Sequence, residues 1–209
     1  MFLGRKRWIG AALLIAGLVA GRSWIKARFY VDHMERDERL TDIQVPRVVQ
    51  ALPLDGDEKV ADIGAGSGLF SRALAGRLTG GTVYAVDINP YLLEHIEQTT
   101  REAGITNVQT VLATEDDPKL PQPVDVVFLF DTLHYVDDPA QYLKVLHGNI
   151  VDGGRLVIVN FFRNWPPMSN EFDRKQLETW MGEAGFRLVA QHDFLPDRYY
   201  LIFARQAGE

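Results

Sequence analysis

Residues 60–70, VADIGAGSGLF, decide the fold. Val60 to Ile63 form an apolar run of the kind buried in a parallel sheet, and Gly64-Ala65-Gly66-Ser67-Gly68 turn the chain into a helix beginning near Leu69. A strand, a glycine turn and a helix in that order suit a nucleotide-like ligand. The glycines let a ligand approach the backbone, and the helix start offers N–H groups without intrahelical partners. The spacing is G-x-G-x-G, one residue shorter than the dinucleotide fingerprint G-x-G-x-x-G. Asp62 stands two residues before the first glycine, at the mouth of the strand. A carboxylate there repels a pyrophosphate and pairs with an ammonium group.

Strand and helix signals alternate downstream. TVYAVD (82–87) is the second strand, and Pro90 starts a helix that runs to about Glu102 and ends before Gly104. NVQTVLA (107–113) and VDVVFLF (124–130) read as strands three and four. Pro139 opens the helix AQYLKVLHGNI, Gly153-Gly154 lead into strand five, RLVIVNFF, and NEFDRKQLETWMGEA forms a helix capped by Gly185. A short helix, PRVVQAL, precedes the first strand. The last two strands, FRLVAQHDF (186–194) and YYLIFARQ (199–206), are joined by four residues, too few for a crossover helix, so they must be antiparallel. The pattern is an α/β, Rossmann-like doubly wound sheet finished by a hairpin, with no internal repeat.

Asp87 ends the second strand, 19 residues after Gly68, where a carboxylate can accept both hydroxyls of a ribose. A ligand with a ribose and an amino-acid cation but no phosphate satisfies both acids, and S-adenosylmethionine is that ligand. The motif Asp62-x-Gly64-x-Gly66-x-Gly68, with Asp87, the exit of strand four and the terminal hairpin, resembles the class I S-adenosylmethionine-dependent methyltransferases over about residues 46–206. The resemblance implies the strand order 3-2-1-4-5-7-6 with strand 7 antiparallel. It implies that Gly64, Ala65, Gly66 and Gly68 cradle the methionine part, that Asp62 takes its ammonium, and that Asp87 holds the ribose with Ile88 against the adenine. Where the family usually has Gly-Asp-Ala after strand three, this chain has Ala113-Thr114-Glu115, so Thr114, Glu115 and Asp116 are all candidates for the adenine contact. FDTLHYVDDP (130–139) resembles the family's segment after strand four, which implies that Asp131 faces the methionine moiety and His134 lies near the methyl-transfer axis. His134 has an unperturbed pKa suited to a base; the alternative is a histidine that packs its own loop.

Composition limits the rest. The chain has 209 residues and no cysteine, which removes disulfides, thiolate metal sites and cysteine nucleophiles. His33, His95, His147 and His192 show no ligand spacing, and Asp116-Asp117 and Asp137-Asp138 read as turn residues, so no metal is expected. Six basic residues and no acid lie before residue 29, which leaves the remainder at a formal charge of −12. Such a domain repels a phosphate backbone, so nucleic acid is not an expected partner.

Residues 1–28 read as a signal peptide or membrane anchor. Arg5-Lys6-Arg7 precede the apolar run Trp8 to Gly21, and Trp8 and Trp24 flank it. Its fourteen residues span about 21 Å as a helix, short of the ~30 Å hydrocarbon core. The expectation is membrane association through residues 8–25 if the leader is retained, or export after cleavage; the side of the membrane and the oligomeric state are left open. Residues 29–45 read as a connector and 46–209 as the methyltransferase-like domain. The expected partner is a small, apolar methyl acceptor, with Phe161, Phe162, Trp165 and Met168 as candidate pocket walls. Two rival readings are an NAD-dependent oxidoreductase and a non-catalytic S-adenosylmethionine-binding protein.

Overall fold

The computed structural model describes residues 31, 32, 34–36, 41–161 and 172–206. The expected leader, 1–28, and the candidate pocket residues Phe162, Trp165 and Met168 lie outside the described residues. Among the described residues, no helix is long and apolar enough to cross a membrane.

Seven strands form one sheet: β1 (Lys59–Ile63), β2 (Thr82–Asp87), β3 (Val108–Leu112), β4 (Val124–Phe130), β5 (Ile150–Phe161), β6 (Phe186–His192) and β7 (Arg198–Arg205). Their order is 3-2-1-4-5-7-6. Strands β1 to β5 pair in parallel, and β7 is antiparallel to both β5 and β6. The order and the reversed strand agree with the sequence-based expectation. The described helices are α1 (Val45–Gln50), α2 (Leu69–Ala75), α3 (Pro90–Glu102), α4 (Pro139–Gly148) and α5 (Arg174–Glu183). A 3-10 turn, Leu133–Tyr135, comes after β4.

The two-residue period of the strands sorts the core onto two faces. On one face Val60, Val83, Phe128, Val157 and Tyr200 pack with Val48, Val49, Phe70 and Leu74 from α1 and α2. On the other, Ile63, Val86, Leu129, Ile158 and Leu201 pack with Leu143, Leu146, Leu177 and Met181 from α4 and α5. Helix α3 adds Leu93 and Ile96 against Ala65 and Ala85. Burial on both faces explains why the central strands read as continuous apolar runs.

Strand β5 starts at Ile150, earlier than the sequence suggests. Ile150 belongs to the strand and not to α4, and an irregularity opposite Val124 and Val126 absorbs the Gly153-Gly154 step. The core also starts before Pro46: Ile43 and Val45 are buried within it. Tyr200 donates from its hydroxyl to the Val48 carbonyl at 3.2 Å, tying α1 to β7.

The strand order reverses between β1 and β4, which leaves a crevice at their carboxyl ends. The glycine turn after β1 and the turn after β4 meet there. A Cβ on Gly64 would collide with the Thr132 side chain, and one on Gly68 would lie 2.6 Å from Cγ1 of Ile96. Gly64, Gly66 and Gly68 have φ of 73°, 56° and 76°, the left-handed region that disfavours side chains. The glycines therefore let the turn wedge between α3 and the β4 exit.

Gly68→Ala should cost about 1–3 kcal/mol, because the backbone conformation and the Ile96 contact both oppose a methyl group. Gly182→Ala, in α5 with nothing within 4 Å of its Cβ position, should stabilise by about 0.5–1 kcal/mol. Thermal melts of the two variants should shift in opposite directions; equal shifts would count against this account of the glycine turn.

Candidate functional site

The crevice is lined by residues at and just beyond the carboxyl ends of the parallel strands. Asp62 lies within β1, on the α2 face, and is 2% exposed. Ser71, an inward position in the first turns of α2, donates to Asp62 Oδ2 at 2.5 Å. Asp87 closes β2. Its Oδ2 accepts from the Gly66 N–H at 2.9 Å and its Oδ1 from the Asn89 N–H at 2.8 Å. The glycine turn is thus bonded directly to the second acid.

The two carboxylates are buried close together and repel one another. Burial pushes the Asp62 carboxyl up to about 7; the Ser71 hydroxyl opposes this, and the Asp87 charge adds to it. Asp87 is raised as well, by burial, against the bonds from Asn89 and Gly66. No basic side chain is bonded to either acid among the described residues. Such a pair favours a cation and hydroxyl donors, because either relieves desolvated negative charge.

The other candidate positions are distributed around this pair. Ile88, next to Asp87, is exposed, as is Leu112 at the end of β3; large apolar side chains left open at the carboxyl ends of neighbouring strands suit a flat aromatic group. Ala65 is buried against α3. Thr114 donates from its hydroxyl to Asp116 Oδ1 at 2.7 Å, while its N–H bonds to the Asp117 carbonyl, so this turn is closed upon itself. Glu115 is exposed beside it.

Asp131 sits where β4 leaves the sheet, with a φ of 50° that is uncommon outside glycine. Its carboxylate is held by Arg198 from the start of β7, through Nε at 3.1 Å and Nη2 at 3.0 Å. Arg198 also bonds Asp197 at 2.6 Å and stacks 3.9 Å above the Phe161 ring. The pair is buried and locks the β4 exit against β7. The expected partner of Asp131 was the methionine moiety; the bond made within the chain is to Arg198.

His134 lies in the 3-10 turn, 3% exposed, with Nδ1 3.1 Å from Oδ1 of Asn160 in β5. Its Nε2 is buried without a hydrogen-bond partner. Burial lowers its pKa, opposed by the Asn160 bond and by Asp131. The imidazole is therefore neutral at pH 7.

On the open side, residues ahead of α1 approach the glycine turn. Arg72 of α2 donates to the Ser67 carbonyl at 2.8 Å and pairs with Glu35 at 2.6 Å. A Cβ on Gly66 would lie 2.8 Å from Sδ of Met34.

Sequence reasoning did not single out Ser71, Asn160 or Arg198. Ser71 carried a signal, as a polar residue at an inward helical position nine residues after Asp62. Asn160 carried one too, interrupting the apolar run RLVIVNF. Arg198 lay in the hairpin turn and carried none.

Comparisons with known proteins agree with this geometry. Residues 61–156 match a family model described as a methyltransferase domain. A ubiquinone biosynthesis O-methyltransferase of Xylella fastidiosa is 32% identical over 120 residues, 57% of this chain and 48% of that protein. The counterpart from Pseudomonas syringae pv. tomato is 30% identical over 108 residues, 51% of this chain and 46% of its own. The chain thus spans about half the length of the curated relatives it matches. The crystal structure of a SAM-dependent methyltransferase from Aquifex aeolicus superposes with a TM-score of 0.74 at 19% identity, covering 83% of this chain and 96% of that one. The methyltransferase-domain model matches a little under half of the chain, and the structural likeness shows a shared fold.

The raised Asp62 pKa has a consequence for stability. An unfolded Asp titrates near 3.9, so between about pH 4 and pH 7 the ligand-free fold holds a proton that the unfolded chain has released. Stability falls as pH rises through that window and is level above it. Asp62→Asn removes the titration. Its melting temperature should gain on the native chain between pH 4 and pH 8 by the equivalent of a few kcal/mol. Parallel melting profiles for the two would contradict the assignment.

Proposed function

We propose that this chain transfers a methyl group from S-adenosylmethionine to a hydroxyl of a small, apolar acceptor. The observation that carries the reading is the pair of buried acids joined by the glycine turn. The buried Asp62 favours a cationic head group, and Asp87 retains acceptor capacity for ribose hydroxyls beyond its two backbone bonds. Ile88 and Leu112 offer apolar surface for the adenine. The co-substrate supplies a methyl group on a sulfonium sulfur, an already activated leaving group, so much of the rate can come from positioning and exclusion of water.

Oxygen as the acceptor atom is supported by the curated relatives, which are named as O-methyltransferases. An apolar acceptor is supported by the aromatic residues of 161–172 and by the apolar leader. Tethering to a membrane through residues 8–25 belongs to the same proposal, supported by the basic cluster and flanking tryptophans of that run. The short glycine spacing and Asp62 disfavour a nicotinamide dinucleotide, so the oxidoreductase reading is not favoured.

Calorimetry with S-adenosylhomocysteine tests the site. The native chain should bind it, and Asp62→Ala and Asp87→Ala should each lose at least tenfold in affinity, about 1.4 kcal/mol. NADH should bind neither the native chain nor the variants. Undiminished binding by both variants would remove the assignment, and binding without methyl transfer to any hydroxylated acceptor would favour a non-catalytic binding protein.

A further inference from the structure

Beyond the co-substrate pocket, the crevice holds a buried polar pair to which no part of the methyl donor is assigned: His134 and Asn160. Asn160 lies near the carboxyl end of β5, opposite Tyr199 of β7 in the sheet register. Its Oδ1 is 3.1 Å from His134 Nδ1. The oxygen of the amide faces the imidazole. An oxygen has no proton to give, so Nδ1 carries the hydrogen of the neutral ring. Nε2 then holds a bare lone pair, and it is buried with no partner. The exposed Tyr135 ring packs on the imidazole at a centroid distance of 4.2 Å, so on that side one ring separates the histidine from the surface.

We propose that Asn160 is a positioning residue whose carbonyl oxygen holds His134 in the Nδ1–H tautomer, so that Nε2 takes the proton from a phenolic hydroxyl of the acceptor during methyl transfer. The proposal rests on the methyltransferase reading and narrows it to a phenol. An amine acceptor uses its own lone pair and needs no base in the chain. An aliphatic alcohol is too weak an acid for an imidazole whose basicity burial has reduced. The balance closes within the site: the acceptor oxygen bonds the methyl carbon, the carbon–sulfur bond breaks with its electron pair on sulfur, and the phenolic proton passes to Nε2. The products are an aryl methyl ether and S-adenosylhomocysteine, and the imidazolium returns its proton to solvent. The charged and titratable groups facing His134 are Asp131 from the end of β4, neutralised by Arg198 of β7, with Tyr135 of the same turn and Tyr199 of β7.

The test uses the full chain labelled with nitrogen-15, in long-range nitrogen–proton spectra of its five histidines, with His134→Gln identifying the signal. At pH 7.5 the His134 ring should show a protonated Nδ1 and an unprotonated Nε2. Asn160→Ala should swing the ring toward the Nε2–H tautomer, whereas Asn160→Asp should keep Nδ1–H and raise the imidazole pKa by at least one unit. With 4-tert-butylcatechol as probe acceptor, Asn160→Ala should lower kcat ten- to a hundredfold with KM for S-adenosylmethionine within twofold. Asn160→Asp should retain activity, with the acid limb of its pH–rate profile moved upward. A native Nε2–H tautomer overturns the proposal whatever the activity, and so does an Asn160→Asp imidazole pKa equal to the native one. Failure to bind S-adenosylhomocysteine would instead overturn the methyltransferase reading, and the tautomer spectra separate the two because they need neither co-substrate nor acceptor.

Discussion

Two carboxylates that repel each other across the ends of adjacent parallel strands set the character of this molecule. Asp62 and Asp87 are both buried, and neither is bonded to a basic side chain among the described residues. Ordinary folding would place apolar residues there, as it does at Ile63 and Val86 beside them. The fold tolerates the acids because Ser71 and the backbone N–H groups of Gly66 and Asn89 satisfy part of their acceptor capacity. The remainder is a standing preference for a ligand that brings positive charge and hydroxyl donors. Stability is given up at one place so that binding energy is available there.

The glycine turn links that electrostatic feature to the fold. Gly66 donates to Asp87, Gly64 abuts Thr132 at the β4 exit, and Gly68 abuts Ile96 of α3. A side chain at Gly64 or Gly68 would push apart elements that carry the pocket. The second half of the crevice is held differently, by the buried Arg198–Asp131 pair and the Asn160–His134 bond. Both fasten the turn after β4 to the strands beyond it. One half of the site therefore presents two buried carboxyl groups, and the other presents a neutral imidazole on a locked turn.

Much of this was legible in the sequence, for a physical reason. Strands buried on both faces must be apolar throughout, so β1, β4 and β5 announce themselves, and a connection as short as the five residues 193–197 between β6 and β7 permits only antiparallel neighbours. Acids at strand ends, such as Asp62 and Asp87, stand out against such runs. Long-range polar contacts leave no such trace. Arg198 and Asp131 are 67 positions apart, and nothing local in LPDR points to a buried arginine. Asn160 and Ser71 were visible only as polar residues in apolar settings. The start of β5 was misplaced because Gly153-Gly154 look like a turn that ends one element, whereas the strand passes through them as an irregularity.

Proton release on ligand binding tests the central claim most directly. Titrating S-adenosylhomocysteine into the full chain at pH 6.5, in buffers of different ionisation enthalpy, counts the protons exchanged. If a cationic head group settles against Asp62, its carboxyl must ionise on binding, and the native chain releases a fraction of a proton that Asp62→Asn does not. Binding with no proton exchange, or with the same exchange in both proteins, would contradict the account.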